Sequence, residues 1–211
     1  MNALRFEHEL PHTDTHMNGR LFFLAMAIMA MMLAATPALA ETATVEILGV
    51  QFPKEKVIEG KTLRLNGVSY LKKFGFVKVY AVGLYLEQPS HDPETVIASR
   101  QVKYMLTHYL TDKATAAKLR AGFIELMEEN NPKAMVDANR RDIEQYASWL
   151  DKDMAPGLTS ESVYVPGKGL TLIYQGQIKG TIAGDAFADM YYRYNVGEKA
   201  DKTIREGLLG L

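Results

Sequence analysis

Two polar side chains, Lys78 and Tyr80, stand two residues apart in the otherwise apolar run FVKVYAVGLYLE (residues 76–87), and so on one face of a strand. An unpartnered hydroxyl or amide taken out of water costs on the order of 2–7 kcal/mol, and an ammonium more. The pattern therefore points to a polar cleft beside the strand, where a phenol can hold the head of a ligand. Other chemistry is sparse. His108 alternates along one strand face with Val102, Tyr104, Leu106 and Leu110, which reads as a core histidine bonded to a neighbour, with a general base as the alternative. Asp151 and Asp153 fall just before Pro156-Gly157 and read as a solvated acidic turn. Pro166-Gly167-Lys168-Gly169-Leu170-Thr171 superficially resembles a phosphate loop, but it lacks the upstream glycine and the following helix, so a hairpin is expected. Arg120 is expected on a solvated helix face with an i,i+4 partner. Phe187, Tyr191 and Tyr194 form a stripe read as core packing, with its tyrosines also placed to line a cleft mouth.

The elements that must position these groups follow from periodicity. Residues 44–50, 57–58, 62–66, 76–87 and 101–110 are rich in β-branched and aromatic residues, punctuated by Gly49, Gly60, Pro89 and an expected turn at Asn66-Gly67. The period then changes. Thr111-Asp112 is expected to cap a helix with the stripe Ala116, Leu119, Phe123, Leu126 and Met127, ending at Asn130-Asn131. Asn131-Pro132 is expected to cap a second helix with the stripe Met135, Ala138, Ile143, Tyr146, Trp149 and Leu150. Strands return at 161–166, 170–174 and 177–182, joined by loops short enough for hairpins. Asp185 and Asp201 then open two closing helices. Strands at both ends of a helical middle indicate an α+β fold, a large antiparallel sheet packed against a helical layer.

Residues 21–35 form an unbroken apolar run, followed by Pro37-Ala38-Leu39-Ala40. This is the pattern of a secretory signal peptide over residues 1–40, cut after Ala40, with translation from Met17 as an alternative start. The run is shorter than the roughly 20 apolar residues of a membrane span. A periplasmic or secreted product, without a stable transmembrane segment and with one domain over 41–211, is therefore expected. His8, His12 and His16 would share a helix face as metal ligands, but they lie in the segment expected to be lost, so no metal site is expected. Of 24 basic and 25 acidic residues, residues 1–40 hold two and three, which leaves 22 of each. That balance argues against nucleic acid or an anionic membrane as the main partner. The absence of cysteine excludes disulfides, thiol catalysis and thiolate metal sites, and no cofactor motif is present.

Several short pieces in fixed order resemble the chalcone isomerase-like family, in its short exported bacterial branch. They are Leu65-Asn66-Gly67, the run from Val77 to Leu86, Gly180-Thr181-Ile182-Ala183-Gly184 with Phe187, and Gly207-Leu208-Leu209-Gly210. The resemblance implies an open-faced β-sandwich with a ligand cleft between sheet and helices. In the family's plant enzymes, which close a flavonoid ring, the catalytic positions correspond to Tyr80, Thr115, Gly122 and Gln177 here, and none keeps the enzyme's residue. The family's fatty-acid-binding members carry a Tyr where Tyr80 stands and pair it with an upstream Arg. This chain has no such Arg after Asn66-Gly67, and Lys72, Lys73 or Arg64 would have to substitute without its bidentate fork.

The sequence is thus identified with a binding protein for a small hydrophobic or amphipathic ligand such as a fatty acid. No catalytic residue is assigned, and Tyr80, Lys78, Thr115, Gln177 and Lys72 are the candidate ligand-binding residues. The alternatives are an isomerase of the intramolecular lyase type on a phenolic or enone substrate, and a cell-envelope accessory protein acting through its surface.

Overall fold

A computed structural model of the protein describes residues 43–211; the expected signal peptide, the Met17 start and the three leader histidines lie outside them. Strands β1 (Thr44–Ile47) and β2 (Val50–Pro53) form a small hairpin. Strands β3 (Glu55–Ile58), β4 (Lys61–Lys73), β5 (Val77–Leu86), β6 (Lys103–Tyr109), β7 (Thr159–Val165), β8 (Gly169–Tyr174) and β9 (Gln177–Ala183) form one seven-stranded antiparallel sheet in sequence order. Helix α1 (Pro93–Ala98) links β5 to β6, and α2 (Ala116–Asn130), α3 (Lys133–Ala138) and α4 (Arg140–Ser148) link β6 to β7. Helices α5 (Ala186–Val196) and α6 (Lys202–Leu209) follow β9.

Strand alternation sorts the core into two. Tyr80, Val82, Leu84 and Leu86 of β5 face the helices, with Met105 and Tyr109 of β6 and Leu172 and Tyr174 of β8 beside them. Ala81, Gly83 and Tyr85 face the other way, with Tyr104, Leu106 and Val163, under the β1–β2 hairpin. Phe52 of β2 sits so close that a Cβ on Gly83 would lie 2.7 Å from its ring. Among the described residues the sheet is therefore helix-covered on one face and capped by a small hairpin on the other, the expected α+β architecture.

Four local expectations change. Asn66-Gly67 is no turn: both residues lie inside the thirteen-residue β4, at a bulge in its pairing with β5. Buried Asn66 donates from Nδ2 to the carbonyls of Ser90 (3.0 Å) and Leu208 (2.8 Å) and accepts the Ser90 N–H at 2.7 Å. A Cβ on Gly67 would lie 2.2 Å from the Gly207 carbonyl oxygen, so this Asn-Gly pair docks the last helix instead of reversing the chain. The reversal comes later, at Phe74-Gly75, both with positive φ.

Thr115 rather than Thr111-Asp112 caps α2. The expected second helix breaks at Asn139 into α3 and α4, and Asn131 donates back to the Met127 carbonyl instead of capping forward. Asp185 makes no capping bond; it accepts from the Tyr164 hydroxyl at 2.8 Å and pairs with Arg100. Helix α1, capped by Asp92 with Pro93 behind it, was legible only as punctuation.

Candidate functional site

Tyr80, Val82, Met105, Thr107, Tyr109 and Ser160 rise from the helix-facing side of β5, β6 and β7, at the sheet end where Tyr80 stands opposite Tyr109 and Thr107 opposite Ser160. Over them close Phe123 of α2, Tyr146 of α4, Leu150 and, from α5, Tyr191, Tyr194 and Asn195. Together they line a partly open cavity of about 90 Å³.

The aromatic walls are mutually braced. Phe123 stacks on Tyr146 with centroids 4.8 Å apart and meets Tyr194 edge-on at 5.9 Å, Tyr191 meets Tyr194 at 5.2 Å, and Tyr80 meets Tyr109 at 6.0 Å. Such a frame holds five phenols around a space whose other walls are apolar at Val82, Met105, Phe123 and Leu150 and polar at Thr107, Ser160 and Asn195.

All five are held neutral. Burial raises the pKa of Tyr80, and the Asp201 carboxylate raises it further. Burial does the same for Tyr109, Tyr146 and Tyr194. Tyr191 is raised by burial and drawn back by the hydroxyls of Ser162, Tyr146 and Tyr194. The phenols are therefore donors and acceptors of hydrogen bonds, not bases.

Among the described residues, no lysine, arginine, histidine or carboxylate is in the lining. His108 is on the opposite face of β6, edge-on to Phe52 at 5.5 Å, its pKa lowered by burial and by Lys56. It is half-buried, its ring makes no hydrogen bond among the described residues, and from that face it cannot serve as a base in this cavity.

Of the five candidate ligand-binding residues, the structure brings Tyr80 alone to the cavity, where it meets Tyr191 and Tyr194 of the helical stripe. Lys78, on the same face, has passed the end of β6 and is exposed. Lys72 is exposed with its ammonium 4.9 Å from the Tyr70 ring centroid. Thr115 is spent on the start of α2, where Oγ1 accepts the Lys118 N–H. Gln177 is exposed at the start of the edge strand β9.

Arg120 finds no i,i+4 partner: its Nη1 donates to the Leu150 carbonyl at 3.0 Å, just behind the lining. Asp151 pairs with Lys179, and Asp153 accepts the Ala116 N–H at the start of α2. Gly167 turns the β7–β8 hairpin, as expected.

Sequence reasoning missed Tyr109 and Tyr146 as site residues. Tyr109 was legible in the alternation that puts it with Met105 and Thr107, and Tyr146 in its helical stripe; their convergence depends on the strand register and on the break at Asn139.

The sequence profile described as chalcone isomerase-like matches residues 44–210. A comparison with curated proteins finds no match. Among solved structures, a fatty-acid binding protein from Arabidopsis thaliana superposes with a TM-score of 0.64 over 79% of this chain and 96% of its own, at 17% identity. A likeness at that identity speaks for the fold alone, and it agrees with the sheet order and the helical cover. With a profile match spanning nearly every described residue, the chain belongs to the chalcone isomerase-like family.

Proposed function

We propose that the protein is a non-catalytic, exported binding protein that takes a small amphipathic ligand between sheet and helices. The observation that carries this reading is the ring of five neutral phenols around a cavity walled by both apolar and uncharged polar side chains, with no charged side chain in its lining among the described residues. General acid–base catalysis needs a group whose pKa lies near the working pH, and every tyrosine here is pushed away from it. Phenols and apolar walls suit a ligand with a hydroxyl or carbonyl head. An ionised carboxylate would meet no cation in the lining and would face the field of Asp201, so a fatty alcohol or ester fits better than a fatty-acid anion. The solved relative's fatty-acid binding lends support to an acyl chain as the apolar part.

A second reading is favoured by one number. The cavity, about 90 Å³, is well below the roughly 300–1,000 Å³ of a drug-sized site, so a ligand enters only if the tyrosines of α4 and α5 swing outward. If they do not, the protein works through its surface.

Isothermal titration of the processed protein with hexadecanol and with hexadecanoate, for wild type and Tyr80→Phe, separates the two. Binding of the alcohol, tighter than that of the acid and weakened severalfold in the variant, supports the cavity reading. No heat with either ligand moves the function to the surface.

A further inference from the structure

The β4–β5 hairpin ends in Lys72-Lys73-Phe74-Gly75-Phe76-Val77-Lys78, and three features of this tip oppose folding stability. Phe74 and Phe76 are 85% and 78% exposed, the two most exposed large apolar side chains of the described residues. Phe74 also holds a left-handed backbone, φ 55°, next to Gly75 at 76°, a pair of conformations that favours Asn-Gly and penalises a bulky residue. Lys72 and Lys78 stand directly opposite each other across the strands, where like charges repel. Removing any of these features would favour the folded hairpin, so they point to something outside the chain.

The charge pattern says what. Between Glu59 and Glu87 the chain carries Lys61, Arg64, Lys72, Lys73 and Lys78 and no acidic residue. Among the described residues none of the three tip lysines is ion-paired. Two aromatic rings ringed by three unpaired ammonium groups match a bilayer surface carrying anionic phospholipid: the rings enter the interface and the lysines stay among the phosphates. A protein partner would offer carboxylates fixed at particular points, whereas lysines on both arms of one turn suit a diffuse negative plane. The balanced net charge, which argues against such a surface for the whole chain, does not describe this end of it.

The position adds a second argument. Val77 and Lys78 pair only with β4, because β6 begins its pairing with β5 at Tyr80. The hairpin thus runs past the end of the sheet, at the same end that holds the cavity. Four residues at about 3.3 Å each put Phe76 roughly 13 Å beyond Tyr80 along the strand. We propose that residues 72–78 are a membrane-docking tip for anionic lipid, which sets the cavity end of the sheet against the bilayer.

The test is vesicle co-sedimentation of the processed protein, its N-terminus read by mass spectrometry so that no apolar leader contributes. Vesicles of equal parts phosphatidylglycerol and phosphatidylcholine are compared with pure phosphatidylcholine. Wild type is expected on the anionic vesicles only. Phe74→Ser with Phe76→Ser is expected to lower the partition at least tenfold, in line with the transfer of two apolar rings. Lys72→Gln, Lys73→Gln and Lys78→Gln together are expected to lower it by about fivefold per charge and to remove its salt dependence. Because all five side chains are at the surface, each variant's melting temperature should stay at or above that of wild type. A Phe76→Trp variant should shift its emission to the blue with anionic vesicles. Equal partition of wild type and the double serine variant overturns the proposal, as does a tip that holds two copies of the chain together, seen as a dimer that the serine variant dissolves without any vesicle binding.

Discussion

Lys103 shows how much a single residue of this chain is asked to do. It is 0% exposed, donates to the carbonyls of Val96 at 2.6 Å and Ile97 at 2.9 Å at the end of α1, and has the rings of Tyr192 and Tyr164 at 4.6 and 5.1 Å. Burial pushes its pKa down to about 8, partly offset by Asp189. Between that value and the ordinary 10.5, the unfolded chain holds a proton that the native one has released, so stability rises with pH through this window. The gain is at most roughly 3 kcal/mol, since the carbonyls and ring faces favour the ammonium. The buried tyrosines act in the opposite sense. Their native pKa values lie above 10, so above pH 10 the unfolded chain loses protons that the native one keeps, and stability falls. Urea titrations from pH 7 to 11 should therefore show a maximum between about 9 and 10. Lys103→Met should flatten the rising limb and leave the falling one in place.

At the scale of elements, the last helix is held by an interface with no room in it. Gly67 of β4 faces Gly207 of α6, and a Cβ on Gly207 would lie 2.6 Å from Ser69 Oγ and the Val68 carbonyl oxygen. Gly67→Ala should cost about 3 kcal/mol or more, because backbone and not a flexible side chain blocks the methyl. Asn66→Ala should cost roughly 2–3 kcal/mol through its three lost hydrogen bonds. Gly122, on α2 with nothing within 4 Å of its would-be Cβ, is the contrast: Gly122→Ala should stabilise by up to about 1 kcal/mol. Denaturant midpoints for the three variants check all of this.

This interface also explains what the sequence could and could not say about the fold. Strand and helix periods were readable because one face of each element is buried. Asn-Gly carried two meanings, a turn or a close approach, and only the position of α6, about 140 residues away, decides between them. The start of α2 likewise draws on a distant partner, Asp153, which accepts the Ala116 N–H.

The whole molecule is a sheet with one end specialised. Tyr80 was legible as a site residue because a polar group in an apolar strand is costly anywhere. Of the other phenols, Tyr191 and Tyr194 were readable as core with a cleft mouth as the second reading, and Tyr109 and Tyr146 only as core, because residues on β6, α4 and α5 converge through register and packing that no local pattern encodes. Lys78 and Lys72 were singled out for the cleft, yet the overhang of the β4–β5 hairpin carries them past it to the exposed tip. At this end the proposed ligand entrance and the proposed membrane contact coincide, provided that the cavity opens to hold a ligand. Native mass spectrometry of the protein isolated from its own host, beside Tyr80→Phe prepared in the same way, decides whether it does. A discrete adduct of lipid size, depleted in the variant, is expected; a clean apo mass in both, unchanged after incubation with fatty alcohol and fatty acid, would rule the cavity out as a ligand site.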